Sequence, residues 1–103
     1  VDGVDEVFRA LADPTRRLLV AELRRRDGQT LFELCSRLIT VHAVAVSRQA
    51  VSKHLAVLAA AGLVHVSPAG RTRVHRLDPG PLGDVTAWLT AMSAPDPTDQ
   101  EQP

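Results

Sequence analysis

Arg48, Gln49, Ser52 and Lys53 stand close together in the run Ser47-Arg-Gln-Ala-Val-Ser-Lys-His-Leu55. Side chains of these types suit base edges: an arginine pairs with guanine, a glutamine with adenine and a serine with either. Stepping about a hundred degrees per residue from Ser47 puts Arg48, Gln49, Ser52, Lys53 and Ala56 on one arc of a helix. Ala50, Val51, His54, Leu55, Val57 and Leu58 fall on the other. The polar residues lie in the first two turns, the part of a recognition helix that enters the major groove, and the small Ala56 lets the backbone come close.

An ordinary solvated helix face carries acids among its bases. Here no acidic residue occurs between Glu33 and Asp78, while Arg37, Arg48, Lys53, Arg71, Arg73, Arg76 and the histidines at 42, 54, 65 and 75 all fall inside that window. The acids gather at the ends, with Asp2, Asp5 and Glu6 in front and Asp78, Asp84, Asp96, Asp99 and Glu101 behind. A formal net charge of zero therefore conceals a basic middle, the footprint of a surface that meets a polyanion. A pI near 7.1 is the opposing observation, because nucleic-acid-binding domains are commonly basic overall. Local segregation of charge answers most of it.

These side chains need a scaffold, and the spacing supplies one. Val4, Val7, Phe8 and Leu11 form one stripe of a short first helix. Asp13-Pro14 reads as an N-cap and first helical residue, opening a second helix through Leu18, Leu19 and Leu23 to Arg24-Arg25-Arg26, with Gly28 as its left-handed stop. Thr30-Leu-Phe-Glu33 is a capping box for a third helix with Leu31, Leu34, Cys35 and Leu38 inside. Ser47 caps the fourth helix, which ends at Gly62. The period then changes: Leu63–Ser67 and Thr72–Leu77 read as strands joined by a four-residue turn, Pro68-Ala-Gly-Arg71. Arg71 at that tip and Arg73 behind it suit phosphate or minor-groove contact, and Arg76 reads as structural. After Asp78-Pro-Gly-Pro81, residues Leu82, Val85, Trp88, Leu89 and Met92 form a fifth amphipathic helix. Residues 93–103 have nothing to bury and read as a disordered tail. No internal repeat is present.

The expected fold is mainly α with a small β-hairpin, in the order α-α-α-α-β-β-α, as one domain over residues 1–92. Three aromatics in 103 residues make a thin core of Leu, Val and Ala, and such small domains often complete their burial by oligomerising. The stripes Val4/Val7/Phe8 and Leu82/Val85/Trp88/Leu89/Met92 are the candidate two-fold interface. One cysteine excludes an intrachain disulfide and a multi-cysteine zinc cluster and fits a reducing cytoplasm. No apolar run reaches membrane-spanning length, and no charged-then-apolar start suggests a signal peptide; the start at Val1 is read as a missing initiator or short leader.

Ala12-Asp-Pro-Thr-Arg-Arg17, Ser47–Leu55, Leu58-Ala-Ala-Ala-Gly-Leu-Val64 and Gly70-Arg-Thr-Arg-Val-His-Arg-Leu-Asp78 together resemble the ArsR (ArsR/SmtB) family of bacterial winged helix-turn-helix transcriptional regulators. The likeness spans about residues 4 to 92 with all motifs in order. It implies a homodimer, usually a repressor, joined through the first and last helices. It matches Arg48, Gln49, Ser52 and Lys53 to the DNA-contacting face, Arg71 to the wing, and Arg16 or Arg17 to a position near the phosphate backbone. Two departures stand out. Metal-sensing members carry Cys-x-Cys in the third helix, where this chain reads Glu33-Leu-Cys-Ser-Arg37; others bind zinc through His and Asp on the last helix, where this chain has Asp84 and no histidine. No metal site and no cofactor are therefore expected. The segment Ile39-Thr-Val-His-Ala-Val-Ala45 is longer than the usual turn, and its apolar character predicts that it packs, either by lengthening the third helix or as an apolar loop.

Cys35 is expected as a buried small hydrophobe rather than a sensor. His54 is expected as a hydrogen-bonded core or interface residue, and His65 with His75 makes a poor metal site without a further ligand. Glu22, Glu33 and Asp84 read as helix-surface or capping residues, and neither a phosphate-binding glycine loop nor a nucleophile elbow is present, so no catalysis is expected. The leading expectation is a dimeric regulator reading a palindromic double-stranded operator in the cytoplasm. Neither an effector nor the need for one is read from the sequence. The rival is a winged-helix protein-interaction module, favoured by the neutral overall charge.

Overall fold

The structure, a computed structural model, describes residues 3–100. They form α1 (Gly3–Leu11), α2 (Pro14–Arg25), α3 (Leu31–Thr40), α4 (Arg48–Ala60), β1 (Val64–Ala69), β2 (Thr72–Leu77), α5 (Gly80–Ser93) and a short α6 (Pro97–Gln100). The expected order is thus observed, with one helical turn added at the end.

Three helices start where a side chain satisfies their free N–H groups. Asp13 Oδ1 accepts from the backbone of Thr15 (2.8 Å) and Arg16 (3.2 Å) at α2. Thr30 and Glu33 close a reciprocal capping box at α3, and Ser47 Oγ accepts from Ala50 N–H (3.1 Å) at α4. The apolar stripes then meet: Leu19 and Leu23 of α2, Leu34 and Leu38 of α3, and Val51, Leu55 and Leu58 of α4 are all buried, with Leu63 and Val64 beneath them. Burial of this kind contributes about 1.5–3 kcal/mol for each large aliphatic side chain. Cys35 lies inside the same cluster, and burial pushes its thiol pKa up.

Several local expectations need correction. α2 ends in an extended Arg26, and Gly28 (φ 74°) takes the left-handed conformation two residues later, in the turn that follows. Pro68 and Ala69 belong to β1, so the hairpin closes in two residues, Gly70-Arg71, rather than four. Gly70, at the first central position with φ 64°, supplies what so tight a turn demands. Proline is tolerated at Pro68 because a two-stranded ribbon is all edge and needs no donor on its outer side. Gln29 adds an isolated bridge to His75, donating to its carbonyl (3.1 Å) and accepting from its N–H (2.7 Å).

The 39–45 segment does both things expected of it, in part. Ile39 and Thr40 lengthen α3, and Val44 and Val46 pack on the core from the following loop, whose Ala43 has φ 56°. Ile39 and Val41 do not pack and are exposed. Val57, expected on the inner arc of α4, is also exposed. At the C-terminal end, Ser93 closes α5, and Asp96 Oδ1 caps the turn of α6 through Thr98 N–H (2.8 Å), so the stretch expected as a structureless tail carries helix at Ser93 and again at 97–100, with no regular structure at 94–96. Residues 101–103 of that tail lie outside the described residues.

Candidate nucleic-acid interface

α4 is held in place by its inner side chains, which leaves its outer arc open. Val51, Leu55 and Leu58 are buried, while Arg48, Gln49, Ser52, Lys53 and Ala56 are exposed. The 39–45 segment does not cover them. Arg71 and Arg73 are exposed on the adjoining hairpin. β1 packs against α4, so the two elements present their polar groups from one body.

The commitments of the basic side chains sort them into two groups. Arg17, Arg25, Arg26, Arg37 and Arg76 each bond a backbone carbonyl or a carboxylate of the chain. The side chains of Arg9, Arg24, Arg48, Lys53, Arg71 and Arg73 make no hydrogen bond or ion pair among the described residues, and four of these six lie on α4 and the hairpin. A cation left without an internal partner on an exposed surface retains its charge for something outside.

Arg16 belongs to the committed group. Its Nε donates to the carbonyl of Ala10 (2.6 Å), and its two terminal nitrogens reach the carbonyl of Arg9 (3.2 Å) and Nδ1 of His54 (3.1 Å). The guanidinium closes the end of α1 and ties it to α4, and Arg16 stays half-buried. His54 is half-buried and hydrogen-bonded, as expected.

Glu22 is the residue that sequence reasoning misplaced most. Expected at a helix surface or cap, it is only 3% exposed. Its carboxylate accepts from Arg37 (2.8 and 3.1 Å) and Arg25 (3.0 and 3.1 Å), and Oε2 lies 2.8 Å from His42 Nε2. The Arg37 hydrogen bonds outweigh burial and, with those of His42 and Arg25, hold the Glu22 pKa down to about 2. A signal was available: Glu22 is three residues beyond Leu19 and beside Leu23, in phase with the buried stripe. The hub joins α2, α3 and the loop before α4, so it fixes the helix that presents Arg48 and Gln49. Gln29 adds a second anchor, its Nε2 donating to the carbonyls of Glu22 (2.9 Å) and Arg26 (2.8 Å).

The histidines on the ribbon do not come together. His65 is exposed and pairs with Asp78 (2.9 Å), whereas His75 is buried against Gln29. At the α3 positions where metal-sensing relatives are expected to place two thiolates, Cys35 is buried and Arg37 is bound to Glu22; that donor set does not fit a metal. Among the described residues, no group of three or more His, Cys, Asp or Glu side chains comes together to hold one.

The apolar stripes of α1 and α5 meet each other. Phe8 and Trp88 pack edge to face, 5.6 Å between centroids at 82°. Val7 and Val85, expected at a subunit interface, are instead buried within the chain, because α1 lies over α5. Val4, Phe8 and Leu82 are partly buried against the same core. Trp88, Leu89 and Met92 remain 50%, 49% and 62% exposed.

No helix among the described residues is long and apolar enough to cross a membrane. A family model described as a helix-turn-helix domain matches residues 11–67. The chain is 47% identical over 86 residues to the uncharacterized HTH-type transcriptional regulator YuzN of Bacillus subtilis, covering 82% of this chain and 94% of that one. It is 45% identical over 94 residues to the HTH-type transcriptional regulator Rv2034 of Mycobacterium tuberculosis, covering 86% and 81%. Among solved structures, it superposes with a TM-score of 0.75 on an ArsR-like transcriptional regulator from Rhodococcus sp. RHA1, at 34% identity over 87% of this chain and 76% of that one.

Proposed function

The chain belongs to the ArsR family of winged helix-turn-helix transcriptional regulators, and from that premise we propose that it is a homodimeric repressor acting in the cytoplasm on a palindromic operator. DNA binding is common ground for the family; the operator symmetry, the dimer and the sign of regulation are the content of the proposal. Arg48, Gln49, Ser52 and Lys53 read the major groove from α4, and Arg71 and Arg73 hold the backbone or minor groove from the hairpin. The supporting observation is the clustering of free cations: four of the six basic side chains without an ionic partner among the described residues lie on α4 and the hairpin, and no acid lies between Glu33 and Asp78 in the sequence.

Dimerisation would proceed through the exposed Trp88, Leu89 and Met92 of α5 with the flank of α1 that carries Val4 and Phe8. A two-fold axis there sets two copies of α4 on one side of a duplex, about one helical turn apart, on the order of 34–36 Å. No catalytic step is assigned.

Selection of bound duplexes from a random pool tests the reading. The expected product is an imperfect palindrome with half-sites one turn apart, bound with a steep loss of affinity as salt rises. Recovery of unrelated sequences, bound with no salt dependence, would overturn it and favour a protein-interaction role.

A further inference from the structure

Between α4 and the hairpin runs a cleft of about 520 Å³, walled by Leu31 and Phe32 of α3, Arg48 and Ala56 of α4, and Val66 and Arg73 of the ribbon. Its floor is closed by the buried Leu55 and His75. That volume falls in the range of small-molecule sites, which pair apolar walls with a few placed polar groups. Phe32 is 67% exposed and Val66 45%, although the chain has only three aromatics with which to build its core. No carboxylate lines the cleft, and neither Arg48 nor Arg73 has an internal ionic partner among the described residues.

We propose that this cleft is a binding site for a small aromatic carboxylate, whose ring lies against Phe32 and Val66 and whose anionic end meets Arg48 and Arg73. Charge complementarity names the anion, and the exposed apolar walls name its body. A duplex backbone offers phosphates to the two arginines but nothing to Phe32 or Val66, and it cannot follow the cleft to its floor. The ligand engages the two guanidiniums that the DNA reading also requires, so its occupancy excludes DNA; this second half rests on the function proposed above. The site thereby gives the regulator a release signal that needs no metal.

The test uses the full chain, with 2-naphthoate as probe, 2-naphthamide as its neutral counterpart and inorganic phosphate as a bare anion. Titrations followed by NMR shifts or calorimetry without DNA are expected to show 2-naphthoate binding at least tenfold more tightly than either control. Phe32→Ser removes an exposed ring and is expected to weaken 2-naphthoate at least fivefold while leaving duplex affinity within twofold. Arg73→Ala is expected to weaken both. Added 2-naphthoate should raise the apparent Kd for a selected duplex in wild type and much less in Phe32→Ser. Equal binding of phosphate and 2-naphthoate, binding unaltered by Phe32→Ser, or no binding by a protein that still binds duplex would each overturn the site. A protein that binds 2-naphthoate but no duplex would keep the site and overturn the DNA reading instead.

Discussion

His42 Nε2 lies 2.8 Å from Glu22 Oε2, which ties the loop before the reading helix to the middle of α2. The same carboxylate holds Arg37 of α3 and Arg25 one turn along α2, so one buried anion sets the relative positions of two helices and a loop. The loop's other ties are Val44 and Val46, which pack on the core, and the Val44 N–H, which donates to the Leu38 carbonyl (2.9 Å). Removing the charge leaves two guanidiniums without their partner, a type of change that costs about 3–5 kcal/mol when the pair is wholly buried. Arg25 and Arg37 reach solvent, at 46% and 33% exposure, which lowers the expected cost. Glu22→Gln should therefore destabilise the fold by about 2–4 kcal/mol, read from the urea midpoint. A midpoint equal to wild type would mean that the hub does not hold the helices.

The same carboxylate dictates a pH dependence. Its pKa falls on folding from an ordinary 4.5 to about 2, chiefly through the Arg37 hydrogen bonds. A lowered folded-state pKa means that the unfolded chain binds the proton more readily, so the stabilisation is complete above about pH 4.5 and disappears as pH falls through about 2. The span corresponds to about 3 kcal/mol. Glu33, held down by the Thr30 backbone N–H, and Asp78, held down by its hydrogen bond with His65, add slopes of the same sign, so wild type and variant both weaken in acid. Urea midpoints at a series of pH values should show the gap between wild type and Glu22→Gln narrowing from pH 5 downward. A gap constant with pH would contradict the assignment.

What was legible in the chain follows from the range of each interaction. Asp13, Thr30 and Ser47 cap their helices through partners two or three residues away, so the helix starts could be read directly. The exposed arc of α4 was legible for the same reason, since Val51, Leu55 and Leu58 define its opposite side within three turns. The Gln29–His75 bridge spans 46 residues and has no local sign. Arg16 illustrates the limit most clearly: its type suits a phosphate, and its bonds to carbonyls at the end of α1 and to a nitrogen of His54 have no local sign, since only the packing of α1 on α2 and α4 creates them. The hairpin turn was misjudged because Pro68 looks like a breaker, whereas on an edge it is merely a strand residue without a donor.

Arg48, Gln49 and Arg71 should separate by what they read. The first two face outward from the opening turn of α4, where an arginine fork or a glutamine amide pairs with one base in preference to others. Arg48→Ala or Gln49→Ala is expected to cost about 1–3 kcal/mol on the selected duplex and to relax sequence preference. Arg71 sits at the ribbon tip, suited to a phosphate that every sequence shares. Arg71→Ala should weaken all duplexes alike and lower the slope of log K against log salt by about one. Isotherms on selected and scrambled duplexes at several salt concentrations decide it; unchanged preference in both α4 variants would count against the base-reading role.

Met92 offers a clean test of the dimer. It is 62% exposed on α5, near the half-exposed Trp88 and Leu89, so within one chain a charged residue there meets mostly water. At a two-fold interface the same substitution places a carboxylate from each protomer against apolar side chains, at about 2–3 kcal/mol apiece. Met92→Glu should therefore leave the thermal transition of dilute protein nearly unchanged while converting a dimer to a monomer in sedimentation equilibrium. Splitting the dimer also separates the two reading helices, so affinity for a palindromic duplex should fall at least tenfold while a single half-site is bound as before. A Met92→Glu protein that sediments as wild type does would remove this face from the interface.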